Sequence, residues 1–146
     1  MPPASQATYD DANLVMRLYD LRREEKLREA RAWFFANFKP KSMADIDQLC
    51  PPGSDNNARM RQVASYWDMA ASFVTAGVLN PELFFASNRE MLVVAVRFRP
   101  VLAAIRAAFK DPSFLKNLET VGQQFSNHLE EAGPGTLEAF VARVGG

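Results

Sequence analysis

The sequence has few of the residue types that carry most enzyme chemistry, since its 146 residues include one histidine and one cysteine. A single histidine excludes the Glu-x-x-His pairs of di-iron helical bundles, which need two. The lone Cys50 cannot close an internal disulfide, so an oxidising compartment is not indicated. Glycine-rich phosphate loops and clusters with metal-ligand spacing are also missing. We therefore expect a protein that is not an enzyme and that has no cofactor and no metal site.

An excess of charge of either sign is missing as well, because 17 basic residues balance 17 acidic ones. Nucleic-acid binding needs positive charge to neutralise phosphates, so we expect no nucleic-acid partner. The longest uninterrupted apolar run, from Met91 to Val96, is far short of the roughly 20 residues that span a bilayer. Residues 1–6 lack the charged and apolar regions of a signal peptide. These features predict a cytoplasmic protein with no membrane role.

Apolar residues recur instead at three- and four-residue intervals, which is the pattern of amphipathic helices. The sequence predicts an all-α fold, a single-domain helical bundle over residues 9–146 that follows a disordered segment of residues 1–8. We expect four main helices and three short ones. The main helices are predicted over 9–38, over 56–76, after Ser87 and after Asp111, and the short ones after Ser42, after Asn80 and from Thr136.

Several of these boundaries have local signals in the sequence. Ser54 or Asp55 can cap the helix over 56–76, and Asn80 before a proline is a strong helix start. The residues at 87–90 fit a capping box, in which an acidic side chain bonds back to the start of its own helix. Pro100 removes an amide donor, so we expect either a kink or a break there.

Four charged residues lie in or beside strongly apolar predicted helices: Asp68, Arg97, Arg99 and Arg106. An isolated buried charge costs several kcal/mol, so such groups need partners. One interpretation is a structural ion pair between Asp68 and one of the arginines, which would hold two core helices together. The other is a ligand-binding pocket in which an arginine binds a carboxylate or a phosphate.

Four large aromatic residues lie within six positions: Trp33, Phe34, Phe35 and Phe38. On one helix they cannot all face the same side, and an uncovered part would be an apolar patch for a partner. Either shorter helices of the same chain cover them, or they form an interface with a second chain. The stretch before them, from Asp20 to Arg31, has nine charged residues in twelve, and we expect a solvated face there.

The middle of the chain contains a set of packing and turn residues that resembles a known family. The set consists of Tyr66-Trp67, Gly77-Val78-Leu79, Asn80-Pro81-Glu82-Leu83-Phe84, and later Arg106 ahead of Asp111-Pro112-Ser113-Phe114. On these residues, about 64–118 resembles an uncharacterised family of small helical bacterial proteins, a domain of unknown function. The resemblance implies no activity, cofactor or site residue. Similar proteins often have a membrane-spanning segment ahead of this region, whereas here a charged helix is predicted at that position.

The function we predict is an interaction module of unknown pathway that works through its long first helix. It would form a homodimer or bind a protein partner, with Trp33 and Phe34 as apolar anchors. The alternative is a small-molecule sensor whose polar pocket lies between the helices that hold Asp68 and Arg97.

Overall fold

A computed structural model of the protein describes residues 6–145, and these residues fold into helices with no β-strand. The helices are α1 (Tyr9–Arg22), α2 (Glu25–Asn37), α3 (Met43–Leu49), α4 (Asp55–Thr75), α5 (Pro81–Ser87), α6 (Arg89–Phe98), α7 (Leu102–Phe109), α8 (Lys116–Ala132) and α9 (Thr136–Val144). The predicted all-α fold is confirmed, but residues 6–145 contain nine helices and not seven. Most of the segment predicted to be disordered, residues 1–5, lies outside the described residues.

The longest helix, α4, makes its most extensive contacts with α2 and α8. Helix α6 packs against α8 and α4, and α9 packs against α8 and α6, while α1 packs mainly against α5. Buried apolar side chains from all nine helices form one continuous core. Trp67 of α4, Phe34 of α2 and Phe98 of α6 are among its largest fully buried members.

The single long helix predicted over 9–38 is wrong, because the chain leaves the helical conformation at Glu24. The Glu24 carboxylate accepts hydrogen bonds from the backbone N–H groups of Lys26, at 3.1 Å, and Leu27, at 3.0 Å, and so caps α2. These bonds hold the pKa of Glu24 below its ordinary value of 4.5. The end of α1 is closed by Arg31, whose Nη1 donates to the carbonyl oxygen of Arg22 at 2.9 Å. Two charged residues therefore make a corner where helical spacing alone predicts continuity.

The capping box predicted at 87–90 is also wrong. Ser87 is the last residue of α5, and Asn88 precedes α6 without a capping bond from its side chain. The Asn88 amide donates instead to the carbonyl oxygen of Phe84 at 3.0 Å and accepts from Arg22 at 2.9 Å. Glu90 turns towards other helices, because an arginine and a tryptophan there offer its carboxylate stronger partners than one backbone N–H.

The structure decides one boundary that the sequence left open, at Pro100, and corrects the predicted start of the helix after Asp111. Pro100 breaks the helix, since α6 ends at Phe98 and α7 begins at Leu102. The helix predicted to start after Asp111 begins only at Lys116. The Asp111 carboxylate accepts from the backbone N–H of Ser113 at 3.0 Å, which closes a turn in place of the first helical turn.

Helices α6 and α8 approach closely at Gly122. A Cβ atom placed on Gly122 would lie 2.8 Å from the Cβ of Ala95, closer than two such atoms can pack. Because Ala95 has no flexible side chain to move aside, the two helices can reach this distance only with glycine at 122.

We expect Gly122→Ala to lower the free energy of unfolding by about 1–3 kcal/mol, because the added methyl group must separate α6 from α8. At an exposed helical site the same change is stabilising by about 0.5–1 kcal/mol, so the sign of the effect is diagnostic. Urea denaturation measures it, with the exposed Gln124→Ala on the same helix as control. An increase in stability in Gly122→Ala would contradict the close packing.

Candidate functional site

Asp68, which was predicted to pair with an arginine, caps a helix instead. Its Oδ1 accepts the backbone N–H of Leu118 at 2.9 Å. Helix α8 needs such a partner because its N-cap residue, Leu115, has no polar side chain of its own. The predicted Asp68–arginine ion pair is therefore wrong: within residues 6–145, the acids that pair with arginines are Glu90 and Glu119.

Arg97 is buried and binds backbone carbonyl groups at the ends of two helices. Its Nη1 donates to the carbonyl oxygens of Phe34, at 3.1 Å, and Phe35, at 2.9 Å, near the end of α2. Its Nε donates to the carbonyl oxygen of Val144 at the end of α9, at 3.0 Å. Burial lowers the pKa of Arg97 below its ordinary value, and the negative ends of both helix dipoles favour its charged form. Arg97 and Asp68 thus contact different elements and do not meet.

Arg99 and Arg106, in contrast, lie on the same cleft between α6, α7 and α8. Arg99 is exposed, and its side chain forms no hydrogen bond or ion pair with another described residue. Arg106 is fixed through its Nε, which donates to the carbonyl oxygen of Phe114 at 2.9 Å. Its Nη1 lies 3.3 Å from each carboxylate oxygen of Glu119, a long contact for a charge-assisted bond.

The second terminal nitrogen of Arg106, Nη2, is buried and has no hydrogen-bond partner among the described residues. An unsatisfied donor of this kind costs about 1–3 kcal/mol, so native structures contain few of them. The cleft has a volume of about 320 Å³. Its apolar part is formed by Ala95, Phe98, Leu102, Ala103 and Leu118, and its other polar side chains are Glu119 and Gln123. Two of the four predicted ligand-binding residues are therefore brought together.

The predicted aromatic interface is largely internal. Phe34 and Phe38 are fully buried and stack on each other, with ring centroids 4.7 Å apart. Trp33 and Phe35 are partly buried and pack against the same core. Phe34 and Phe38 cannot be surface anchors in this fold, because their partners are other parts of the same chain.

Exposed apolar side chains are found instead along α1. Within residues 6–145, four of the seven exposed large apolar side chains belong to this helix of 14 residues: Tyr9, Met16, Tyr19 and Leu21. Tyr9 is 80% exposed and Met16 is 64% exposed. The seven-residue spacing of Tyr9 and Met16 is two helical turns, so both lie on one stripe. This stripe is the outer face of α1. The sequence shows its spacing but does not show which side of the helix stays uncovered.

The inner face of α1 is attached by polar bonds. Tyr66 of α4 donates its hydroxyl hydrogen to the carbonyl oxygen of Leu18. Asp11 accepts the backbone N–H of Thr8 at 2.7 Å through Oδ2, and that of Asn80, which precedes α5, at 2.9 Å through Oδ1. These two backbone bonds hold the pKa of Asp11 below its ordinary value of 3.8.

A polar cluster that sequence reasoning missed joins α2, α4 and α6. Glu90 accepts from Nε and Nη2 of Arg31, both at 2.8 Å, and from the indole N–H of Trp67 at 3.1 Å. The hydrogen bond to Glu90 raises the pKa of Arg31 above its ordinary value. The sequence carries no signal for this pairing, because Arg31 is 59 residues from Glu90 along the chain. The charge pattern of the sequence predicts a solvated face at Arg31.

Comparison with protein families gives one match. A family model described as "Domain of unknown function (DUF4760)" matches residues 7–125. The chain belongs to this family. The match confirms the resemblance to an uncharacterised family, and in this DUF4760 protein it covers both the outer face of α1 and the arginine cleft. No curated protein and no solved structure matches the chain.

The described part of this DUF4760 domain offers little support for a metal site, a membrane-spanning helix or a reactive cysteine. Residues 6–145 contain no group of three or more His, Cys, Asp or Glu side chains that could hold a metal ion. No helix among them is long and apolar enough to cross a membrane. Cys50 is buried, and its burial together with the nearby Asp47 raises the pKa of its thiol, which disfavours the reactive thiolate. His128 is exposed on α8 beside Phe85.

We expect the attachment of α1 to weaken in acid. Because the pKa of Asp11 is lowered in the folded state, its contribution to stability is present above 3.8 and is lost as the pH falls below that value. Hydrogen-exchange protection of the α1 amides, measured from about pH 6 to pH 3, should therefore fall more than that of α8.

In Asp11→Asn the protection of α1 should already be reduced at neutral pH and should no longer depend on acid. The neighbouring Asp10→Asn is the matched control, because Asp10 is exposed. Equal α1 protection in the two variants would contradict the role of Asp11.

Proposed function

We propose that the protein is a non-enzymatic interaction module of the cytoplasm that forms a homodimer through the outer face of α1. The supporting observation is the exposure of Tyr9, Met16 and Tyr19 on a helix whose inner face is already attached to the bundle. Tyrosine and methionine are enriched at protein interfaces relative to the rest of the surface. The proposed surface replaces the predicted one, since Phe34 and Phe38 lie in the core.

The charges along α1 favour a second copy of the same helix as its partner. Exposed Asp10 lies at the start of α1, whereas the second half of the helix and its C-cap carry three arginines, Arg17, Arg22 and Arg23, against one acid, the exposed Asp20. In an antiparallel pair the acidic start of one helix lies against the basic end of the other. A parallel pair would bring like charges together. A partner with the same sequence and a two-fold axis across the helix therefore satisfies the charges at both ends.

The stripe of Tyr9 and Met16 also fits a two-fold axis across the helix. Tyr9, Met16 and Arg23 are each two helical turns apart and lie on one side of α1. When two antiparallel copies are centred on Met16, the Met16 side chains meet and each Tyr9 faces the Arg23 guanidinium of the other copy. An arginine over a tyrosine ring is a favourable cation–π contact. Because α1 is only about 21 Å long at 1.5 Å per residue, the interface is small and the dimer should dissociate on dilution.

Met16→Glu is expected to prevent self-association, because two carboxylates would meet on the two-fold axis. The matched control is Val78→Glu, since Val78 is 62% exposed and belongs to the turn after α4 and not to α1. Sedimentation velocity over a range of concentrations measures the monomer–dimer equilibrium, and circular dichroism checks that both variants fold.

The wild type and Val78→Glu should show the same concentration-dependent dimer, and Met16→Glu should sediment as a monomer throughout. A wild type that stays monomeric at the highest concentration would refute the proposal. So would an equal loss of dimer in the two variants, because the effect would then be one of added charge and not of the α1 surface.

A further inference from the structure

We propose that the arginine cleft between α6, α7 and α8 binds a small organic carboxylate with a short apolar body. None of the residues that line the cleft belongs to α1, so this inference does not depend on the proposed function. It is carried by two arginines at one cleft: the unpaired side chain of Arg99, and Arg106, whose Nη1 has only long contacts to Glu119.

Arg106 provides a positioned donor. The bond from its Nε to the carbonyl oxygen of Phe114 fixes the guanidinium at the edge of the cleft. Its Nη1 has only the long contacts to Glu119, whereas Nη2, which has no partner among the described residues, is buried and cannot be reached from the cleft while the guanidinium keeps this position. A ligand carboxylate therefore has Nη1 as its donor on Arg106, in a charge-assisted bond.

Arg99 provides the second charge. It lines the same cleft and is exposed, and its side chain forms no hydrogen bond or ion pair with another described residue. Arg31 and Arg97, by comparison, are both bonded within the bundle. Arg99 can therefore approach an anion in the cleft without breaking an existing bond.

The rest of the cleft selects the kind of anion. Phe98, Leu102 and Leu118 give it an apolar wall, and its volume of about 320 Å³ leaves room for a body of several carbon atoms. Glu119 lies beside Arg106 and repels a second negative charge, so a monoanionic carboxylate is favoured over a doubly charged phosphate. The chemistry is that of pockets in which a few polar groups orient a largely apolar ligand.

Sodium butyrate is a suitable probe, with butyramide as the uncharged analogue of the same shape and inorganic phosphate as the competing anion. Titrations of the ¹⁵N-labelled full-length protein are followed by amide and arginine Nε–H signals. Butyrate should shift the signals of Ala95, Arg99 and Gln123 and the Nε–H of Arg106 in a saturable way. Butyramide and phosphate should not do so at the same concentrations.

Arg99→Gln should raise the dissociation constant for butyrate about tenfold, the effect of losing one strong charge-assisted bond. The matched control is Arg89→Gln, which makes the same change at an exposed site at the other end of α6. Because the Arg99 side chain has no hydrogen-bond or ion-pair partner within the described residues, the fold should not depend on it.

A second pair of variants tests the cleft without changing charge. Ala103→Phe should fill the cleft and abolish the butyrate shifts, whereas Ala107→Phe, on the same helix but outside the cleft lining, should bind like the wild type. The proposal is overturned if butyrate gives no saturable shifts, if butyramide or phosphate binds as well as butyrate, or if each variant behaves like its control.

Discussion

The arrangement of the helices depends on the hydrogen bonds to the carboxylate of Glu90. It accepts two hydrogen bonds from Arg31 of α2 and one from Trp67 of α4, while its own backbone belongs to α6. A bidentate arginine–carboxylate pair fixes direction as well as distance. The Arg31 and Glu90 side chains are only 24% and 21% exposed, so water weakens this pair less than it weakens a surface ion pair. Three core helices are therefore held in one mutual orientation by one carboxylate.

The placement of α1 follows from this cluster. Arg31 also donates to the carbonyl oxygen of Arg22, which sets the corner between α1 and α2. The Arg22 guanidinium then lies over the Trp67 ring, 5.3 Å from its centre, and donates to Asn88. Once the inner face of α1 is used in this way, Tyr9 and Met16 must face outward. The surface proposed for dimerisation is thus a consequence of how the cluster positions α1.

The sequence predicts those features whose causes are local. Ser54 and Asn80 cap their helices as expected, because the capping bond spans only three residues. The corner at Glu24 was missed, since its charged neighbours also fit one continuous helix. The roles of Asp68 and Arg97 were missed for another reason: their partners are backbone groups of distant segments, which no side-chain pattern reveals. The arginine cleft was predicted in part, because the sequence places arginines beside apolar helices but does not indicate which of them meet.

A double-mutant cycle on Arg31 and Glu90 tests the central role of this pair most directly. Unfolding of the wild type, Arg31→Met, Glu90→Gln and the double variant is measured in urea, and the coupling energy is obtained from the four values. If the pair orients the core helices, the coupling should be about 1–3 kcal/mol. The exposed pair of Lys116 and Glu119 should couple by only about 0.2–0.5 kcal/mol. Additive effects of the Arg31 and Glu90 changes, with no coupling, would contradict the account.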